Sequence, residues 1–370
     1  MKFAASNSPS LGVEIELALV DAETMALRSA NRQILERVRP EFVGTIKQEL
    51  MQCYVELNSK VCATVSEARV DLESKLSELV HIADKLGVRL LWSATHPFSS
   101  WKDQEVTDNA RYRGLVNLLQ DTARQLITFG LHVHVGIDSG DKAIMICDRI
   151  MNYLPVLLAA SSNSPFWEGR VTGLHSWRSK VMDGLPTAGL PPVMRNWSEY
   201  VWLVNHLVET GYIETIREIW WDVRPHHNFG TVEVRICDIP GSLEDTMALT
   251  ALIQCLVTHL SEEIDRGTYQ HDFHPIMVRQ NKWRAARYGL DARLVSSITH
   301  KAMPARQIIR GLVEELEPTA KQLNCKEELR AMLGVADAPT WARRQLDLMH
   351  EYGNQVDVVR AMTNPAMKTG

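Results

Sequence analysis

Three short stretches of the sequence place charged or imidazole side chains two residues apart: Glu14 with Glu16, His132 with His134, and Glu233 with Arg235. On an extended strand, that spacing puts both members of a pair on one face. Two adjacent carboxylates repel, and one is driven to keep its proton unless a cation neutralises them, so Glu14 and Glu16 ask for a divalent metal. A His-x-His pair offers imidazole ligands to a metal or donors to an anion. A guanidinium beside a carboxylate is what phosphoryl transfer uses, one group for the metal and one for developing phosphate charge. A solvated strand face or a surface ion pair would account for any single pair. The coincidence of three carries the reading.

Glu49 and Glu56 belong to the same chemistry with a difficulty. They are an odd number of residues apart, so on one regular strand they would face opposite ways, and only a bulge, bend or change of element could bring both to one site. Glu56 has the better local pattern, sharing its face with Tyr54 and Asn58. Oxygen-rich ligation with one or two histidines points to Mg²⁺ or Mn²⁺ rather than thiolate-bound zinc.

The elements that must position these groups are legible as alternation. Leu11–Val20 reads as a strand with Val13, Ile15 and Leu17 opposite the glutamates. Phe129–Ile137 reads the same way with Leu131, Val133 and Val135 opposite the histidines, and Thr231–Asp238 with Val232, Val234 and Ile236 opposite Glu233 and Arg235. Val88–Thr95 is a short apolar run of strand length. Thr64–Leu86 is an amphipathic helix with Leu72, Leu76, Leu79, Val80, Ala83 and Leu86 on one stripe, ended by Gly87. Thr107–Gln125 and Trp197–Thr210 read as helices, helix resumes after Ser139, Gly184–Pro192 is a loop, and the chain from Ser242 onward is mostly helical. Alternating strands dispersed among helices predict an α+β fold with a mainly antiparallel sheet, one face packed and one open. Neither GxxxxGK[ST] nor GxGxxG after a strand is present, so a nucleotide would be held without a P-loop or Rossmann turn.

The net charge of -5 leaves no electrostatic footprint for nucleic acid. No secretory leader and no apolar run of membrane-spanning length is visible, which gives the expectation of a cytoplasmic protein with no membrane partner. Cys53, Cys62, Cys147, Cys237, Cys255 and Cys325 are scattered without CxxC pairs and read as buried reduced thiols. With no repeat and no linker, residues 1–370 read as one catalytic domain.

Taken together, LGVEIEL, ELMQCYVELNSKVC, THPFSSWKDQEVTDNARY, FGLHVHVGI, LPTAGLPP, WWDVRPHHNFGTVEVRICD and, more loosely, NKWRAARYGL resemble the bacterial carboxylate-amine ligases labelled type 2 glutamate-cysteine ligases, in the glutamine synthetase-like superfamily. The resemblance implies a curved antiparallel sheet forming half of a funnel, with ATP entering one end and substrate the other. It implies metal ligands Glu14, Glu16, Glu56, His132 and Glu233, with Glu49 a further candidate. His134 is expected to contact substrate or phosphate, Arg235 to stabilise the transferring γ-phosphoryl group, and Arg178, in HSWRS, to contact the nucleotide or the acid. Glu49 or Glu56 would accept the proton of the attacking amine. Many relatives carry Glu where this chain has Ile15, which faces away from the site, and nothing local marks a cysteine pocket, so the amine is open.

The activity implied is ATP-dependent joining of a carboxylate, glutamate foremost, to an amine through an acyl phosphate, with weak glutamate-cysteine ligase activity and a homo-oligomeric enzyme as further expectations. The same Glu/His cluster would also serve a metal-dependent hydrolase or a non-catalytic metabolite-binding relative. His96 is expected to fix a loop at a strand end, Trp101, Trp220 and Trp221 to be core or pocket walls, and His226-His227 to be a solvated loop pair. Arg111 and Arg113 read equally as substrate contacts or surface charges.

Overall fold

The computed structural model describes residues 1–268, 274–297 and 299–363. Its centre is a seven-stranded sheet built from β1 (Leu11–Asp21), β2 (Ile46–Gln48), β3 (Tyr54–Asn58), β4 (Val88–Leu91), β5 (Gly130–Gly136), β8 (Val223–His226) and β9 (Thr231–Asp238). The order is β2-β3-β1-β5-β9-β8, and β4 pairs with residues 18–21 of β1 beyond the stretch that β5 covers. Every pairing is antiparallel. Two small hairpins, β6 (Phe166–Trp167) with β7 (Arg170–Val171) and β10 (Arg293–Val295) with β11 (Ala302–Pro304), lie apart from it.

Side-chain alternation divides the sheet. Val13, Ile15, Leu17, Val55, Leu57, Leu131, Val133, Val135, Val232 and Val234 are buried and pack against the helices Val65–Lys85, Leu154–Ser161 and Leu243–Asp265. The first and last of these start where the chain offers a capping oxygen: Thr64 accepts from Glu67 N at 3.2 Å and Ser242 from Asp245 N at 3.1 Å. Most of the expected stripe of Val65–Lys85 is buried, but Val80 is 38% exposed and Ile82 takes its place in the core. Helices Ala305–Gln322 and Lys326–Asp337 form a further layer on Leu243–Asp265. The expected helix Thr107–Gln125 is split into Ala110–Leu119 and Asp121–Arg124 at Gln120, whose φ is 52°. All six cysteines are free and buried, as expected. Among the described residues no single helix is long and apolar enough to cross a membrane.

Two irregularities matter for the site. Between β5 and β9 the register moves by one: Val133 faces Val234, but Leu131 faces Cys237, so Arg235 and Ile236 share the place opposite His132. The expected alternation of β9 therefore ends at a β-bulge, the device that re-aims side chains in a ladder. The second is the edge strand β8, which the sequence pattern does not reveal because it contains Pro225. Proline is tolerated at an edge, where no ladder hydrogen bond is lost, and the Tyr200 hydroxyl donates to its carbonyl at 3.4 Å.

The turn from β8 to β9 closes through Gly230, with φ of +64° and a virtual Cβ 1.7 Å from the Ala4 carbonyl oxygen. Gly230→Ala is expected to cost about 2 kcal/mol or more, from a left-handed backbone plus the clash. Gly311, inside helix Ala305–Gln322 with nothing within 4 Å of its virtual Cβ, should behave oppositely, Gly311→Ala gaining about 0.5–1 kcal/mol. Urea midpoints at constant m-value check both.

Candidate active site

The open face of the sheet forms the floor of a cavity of about 910 Å³. Register places its groups row by row: Glu14 lies opposite His132 on β5 and Asn58 on β3, Glu16 opposite Glu56, Glu56 opposite Lys47, His134 opposite Glu233, and Glu233 opposite Arg224. Glu49 reaches the same cavity from the turn between β2 and β3. The change of element thus resolves its odd spacing from Glu56, and the two carboxyls share a hydrogen bond.

Glu14 stands between both imidazoles, 3.3 Å from His132 Nδ1 and 3.5 Å from His134 Nε2. Ligand atoms of Glu14, His134 and Glu233 lie within 4.8 Å of one another and could hold a metal ion. Glu233 is gripped from the other side: Arg224 Nε donates to its Oε2 at 2.7 Å and Arg235 Nη1 to its Oε1. Arg224 is itself tied to the Ile219 carbonyl at 2.6 Å. On the neighbouring row, Gly130 N donates to Glu16 Oε2 at 2.6 Å, and Lys47 Nζ is 3.6 Å from Glu56 Oε1.

These surroundings separate the carboxylates into two sets. Burial opposes ionisation of Glu14, but the hydrogen bonds and charges of His132 and His134 outweigh it and hold its carboxyl well below the usual range. Burial of Glu233 is likewise outweighed, by Arg224, Arg235 and His134. The second set is under-compensated. Burial pushes Glu16 up to about 7 against the pull of Arg178; burial, then Glu56 and Glu16, raise Glu49 well above the usual range; burial, then Glu14, raises Glu56 despite Lys47.

Of the imidazoles, His132 is pushed down to about 4 by burial and by Arg235, so it is neutral and keeps a lone pair for a ligand. His134 is raised: burial opposes the change, but Glu233 and Glu14 prevail. Its Nε2 is buried, 3.5 Å from Glu14 Oε1 and 3.9 Å from Glu233 Oε1. Glu14 and Glu233 around the His134 nitrogen, with Glu16, Glu49 and Glu56 crowded on the neighbouring row until they favour retaining protons, make an oxygen-rich donor set suited to a hard divalent cation.

The structure brings together Glu14, Glu16, Glu49, Glu56, His132, His134, Glu233 and Arg235 in one cavity. Both imidazoles adjoin Glu14: His134 Nε2 converges with Glu14 and Glu233, and His132 Nδ1 lies 3.3 Å from Glu14 Oε2. Arg178 is not in the lining; it is buried beside Gly130. His226 is not a solvated loop residue: it sits on β8, lines the cavity, and stacks on Phe229 with ring centroids 4.1 Å apart. Arg111 faces the cavity, whereas Arg113 pairs with Asp108 in solvent. His96 fixes its loop as expected, with Nδ1 accepting from Ser99 N at 2.9 Å and Nε2 2.9 Å from the Met25 carbonyl. Arg224 and Lys47 are the groups missed by sequence reasoning. Arg224 stands two residues from His226 at the period of a strand, a signal masked by Pro225.

The architecture is that of glutamine synthetase-like ligases. Glutamate-cysteine ligase from Francisella tularensis, solved in complex with AMP, superposes with a TM-score of 0.67 at 13% identity over 100% of this chain and 91% of that one. A bifunctional glutathione synthetase from Pasteurella multocida gives 0.68 at 14% identity, over 96% of this chain and 52% of that one. At such identities the likeness is one of fold. Residues 10–361 match the model of glutamate-cysteine ligase family 2, and the chain belongs to that family. It is 41% identical over 359 residues to a protein of Gloeobacter violaceus provisionally named glutamate-cysteine ligase 2, with 96% of each chain covered. It is 42% identical over 372 residues to a protein of Frankia casuarinae provisionally named glutamate-cysteine ligase 2-1, covering 100% of this chain and 97% of that one.

Glu16 yields a pH prediction for the metal-free protein. Its carboxyl rises from 4.5 to about 7 on folding, so the folded chain holds this proton more tightly than the unfolded chain. The resulting stability is complete below about 4.5 and is lost as pH rises through about 7. Metal-free Glu16→Gln should therefore exceed the wild type at pH 8 by on the order of 1–3 kcal/mol, the gap narrowing toward pH 5. Urea midpoints measured in chelator at the two pH values check this.

Proposed function

We propose that the protein is an ATP-dependent ligase that joins a small-molecule carboxylate, with glutamate the first candidate, to an amine by way of an acyl phosphate. The observation that carries the reading is the pairing of a crowded carboxylate row with Arg235 and Arg224 on one sheet face. That arrangement concentrates negative ligands for cations next to fixed positive charge, which is the electrostatic requirement of phosphoryl transfer.

Glu14, Glu233 and a histidine, His132 or His134, form one ligand group, and Glu16, Glu49 and Glu56 the other. Mg²⁺ or Mn²⁺ bound there would neutralise the phosphate chain and orient it for in-line transfer. The acid's carboxylate oxygen attacks the γ-phosphorus and the bond to the leaving ADP oxygen breaks. Arg235, anchored on Glu233, directs its guanidinium at the oxygens that gain charge. The amine nitrogen then attacks the acyl carbon, inorganic phosphate departs with the bonding pair, and the ammonium proton passes to Glu49 or Glu56. In their ionised forms those two carboxylates suit the task, because burial, with Glu56 and Glu16 beside Glu49 and Glu14 beside Glu56, raises their affinity for a proton. His134 and His226 line the approach for phosphate or substrate, and Arg111 adds a cation near Glu49.

Phosphate release from ATP with Mg²⁺ and glutamate, measured with and without a panel of amines including cysteine, tests the proposal. Amine-stimulated release is expected, with complete loss in chelator. Glu14→Gln and Glu233→Gln should each lower the rate at least about a hundred-fold while circular dichroism stays that of the wild type. Release indifferent to every amine, or full activity in either variant, would overturn the reading.

A further inference from the structure

Arg178 is charged, 4% exposed, and outside the cavity lining. Nη2 donates to the Arg235 carbonyl at 3.2 Å, Nη1 donates to the Ile236 carbonyl at 3.2 Å, and Nη1 stands 3.9 Å from Asp238 Oδ1. Two of these partners are the consecutive carbonyls of the β9 bulge. A bulge leaves the ladder locally unpaired, and a rigid planar fork can hold two neighbouring carbonyls where a flexible ammonium cannot.

The far side of this anchor is fixed. Asp238 is fully buried and accepts from Asn163 N at 2.9 Å, Ser164 Oγ at 2.7 Å and Ser176 Oγ at 2.9 Å, while Arg178 N donates to Ser164 Oγ at 3.1 Å. Space for the fork comes from Gly130, where a Cβ would lie 2.3 Å from Arg178 Nη2. Arg235 itself has few restraints: its side chain is held by Glu233, its Nε has no hydrogen bond among the described residues, and its backbone N–H donates to the Asp222 carbonyl at 2.8 Å.

We propose that Arg178 is a positioning residue that clamps the β9 bulge and thereby aims Arg235 at the transferring phosphoryl group. This rests on the ligase reading, which is what gives Arg235 its task. The influence of Arg178 on Arg235 travels through the carbonyls of residues 235 and 236. Without the fork those peptides turn, and the Arg235 guanidinium leaves its line on the substrate.

A double-mutant cycle on the full chain tests this. Arg178→Gln should lower kcat for amine-dependent phosphate release about ten- to a hundred-fold, the scale of an ångström misplacement, with the KM for ATP nearly unchanged. In an Arg235→Lys background the same change should cost less than about two-fold, because residues acting as one unit are not additive. A loss as large as in the wild-type background would overturn the proposal, since general loosening adds to any other lesion. Amide hydrogen exchange gives a readout independent of turnover: Arg178→Gln should lose protection across residues 231–238 while β1 and β3 keep theirs. Should that variant fail to fold, Gly130→Ala, which displaces the fork without removing its charge, should give the same local loss. Unchanged protection in the variant that folds would overturn the proposal even in a chain without ligase activity, whereas absent turnover in the wild type, with exchange as expected, counts against the ligase reading alone.

Discussion

Like charge held at close range on one face of a rigid sheet is the constraint to which the rest of this structure answers. Glu14, Glu16, Glu49, Glu56 and Glu233 face one cavity, and the strand ladder that carries four of them gives those four no freedom to separate. The fold answers locally with Arg224, Arg235, Lys47 and the two imidazoles, and it does so unevenly. Glu14 and Glu233 are fully compensated, whereas Glu16, Glu49 and Glu56 are left to share protons. A protein optimised for stability alone would not carry that second set, because buried carboxylates without counter-charge are costly. The imbalance is in keeping with the cation binding proposed for this cavity.

The part of this arrangement written locally in the chain is legible from residue order alone. A period of two is enough to place Glu14 with Glu16, His132 with His134, and Glu233 with Arg235, and to predict that Val13, Leu131 and Val232 turn the other way. What depends on a pairing partner is not legible. Arg224 escapes notice because Pro225 argues against a strand, and only the neighbouring ladder makes β8 an edge strand in which proline is harmless. The β9 bulge is likewise invisible in TVEVRICD, since the offset exists only relative to β5. Glu49 is readable as a candidate, but its direction is set by the turn after β2. Arg178 stands out as a site arginine by its motif, but which side of the sheet it occupies is a tertiary fact.

Family membership and physical reading support each other at different levels. Membership in glutamate-cysteine ligase family 2 covers nearly the whole chain and bears on the reaction class. It does not explain why an arginine outside the cavity, a glycine without a side chain and a buried aspartate belong to one device. The contacts around Asp238 explain that, and they continue outward: Gln345, from helix Trp341–Tyr352, donates to the Asn163 side chain at 2.7 Å. Helix Trp341–Tyr352 thus reaches the polar network around Asp238.

The proline of β8 has a consequence beyond the site. An edge strand normally presents a row of free donors and acceptors, a template onto which another chain can add. At Pro225 there is no donor, and the Tyr200 hydroxyl already occupies the acceptor. At this position the margin that carries Arg224 and His226 offers no free backbone group to an added strand, which blunts the edge as a template for aggregation. The residue that conceals the strand from sequence reasoning also keeps it solitary.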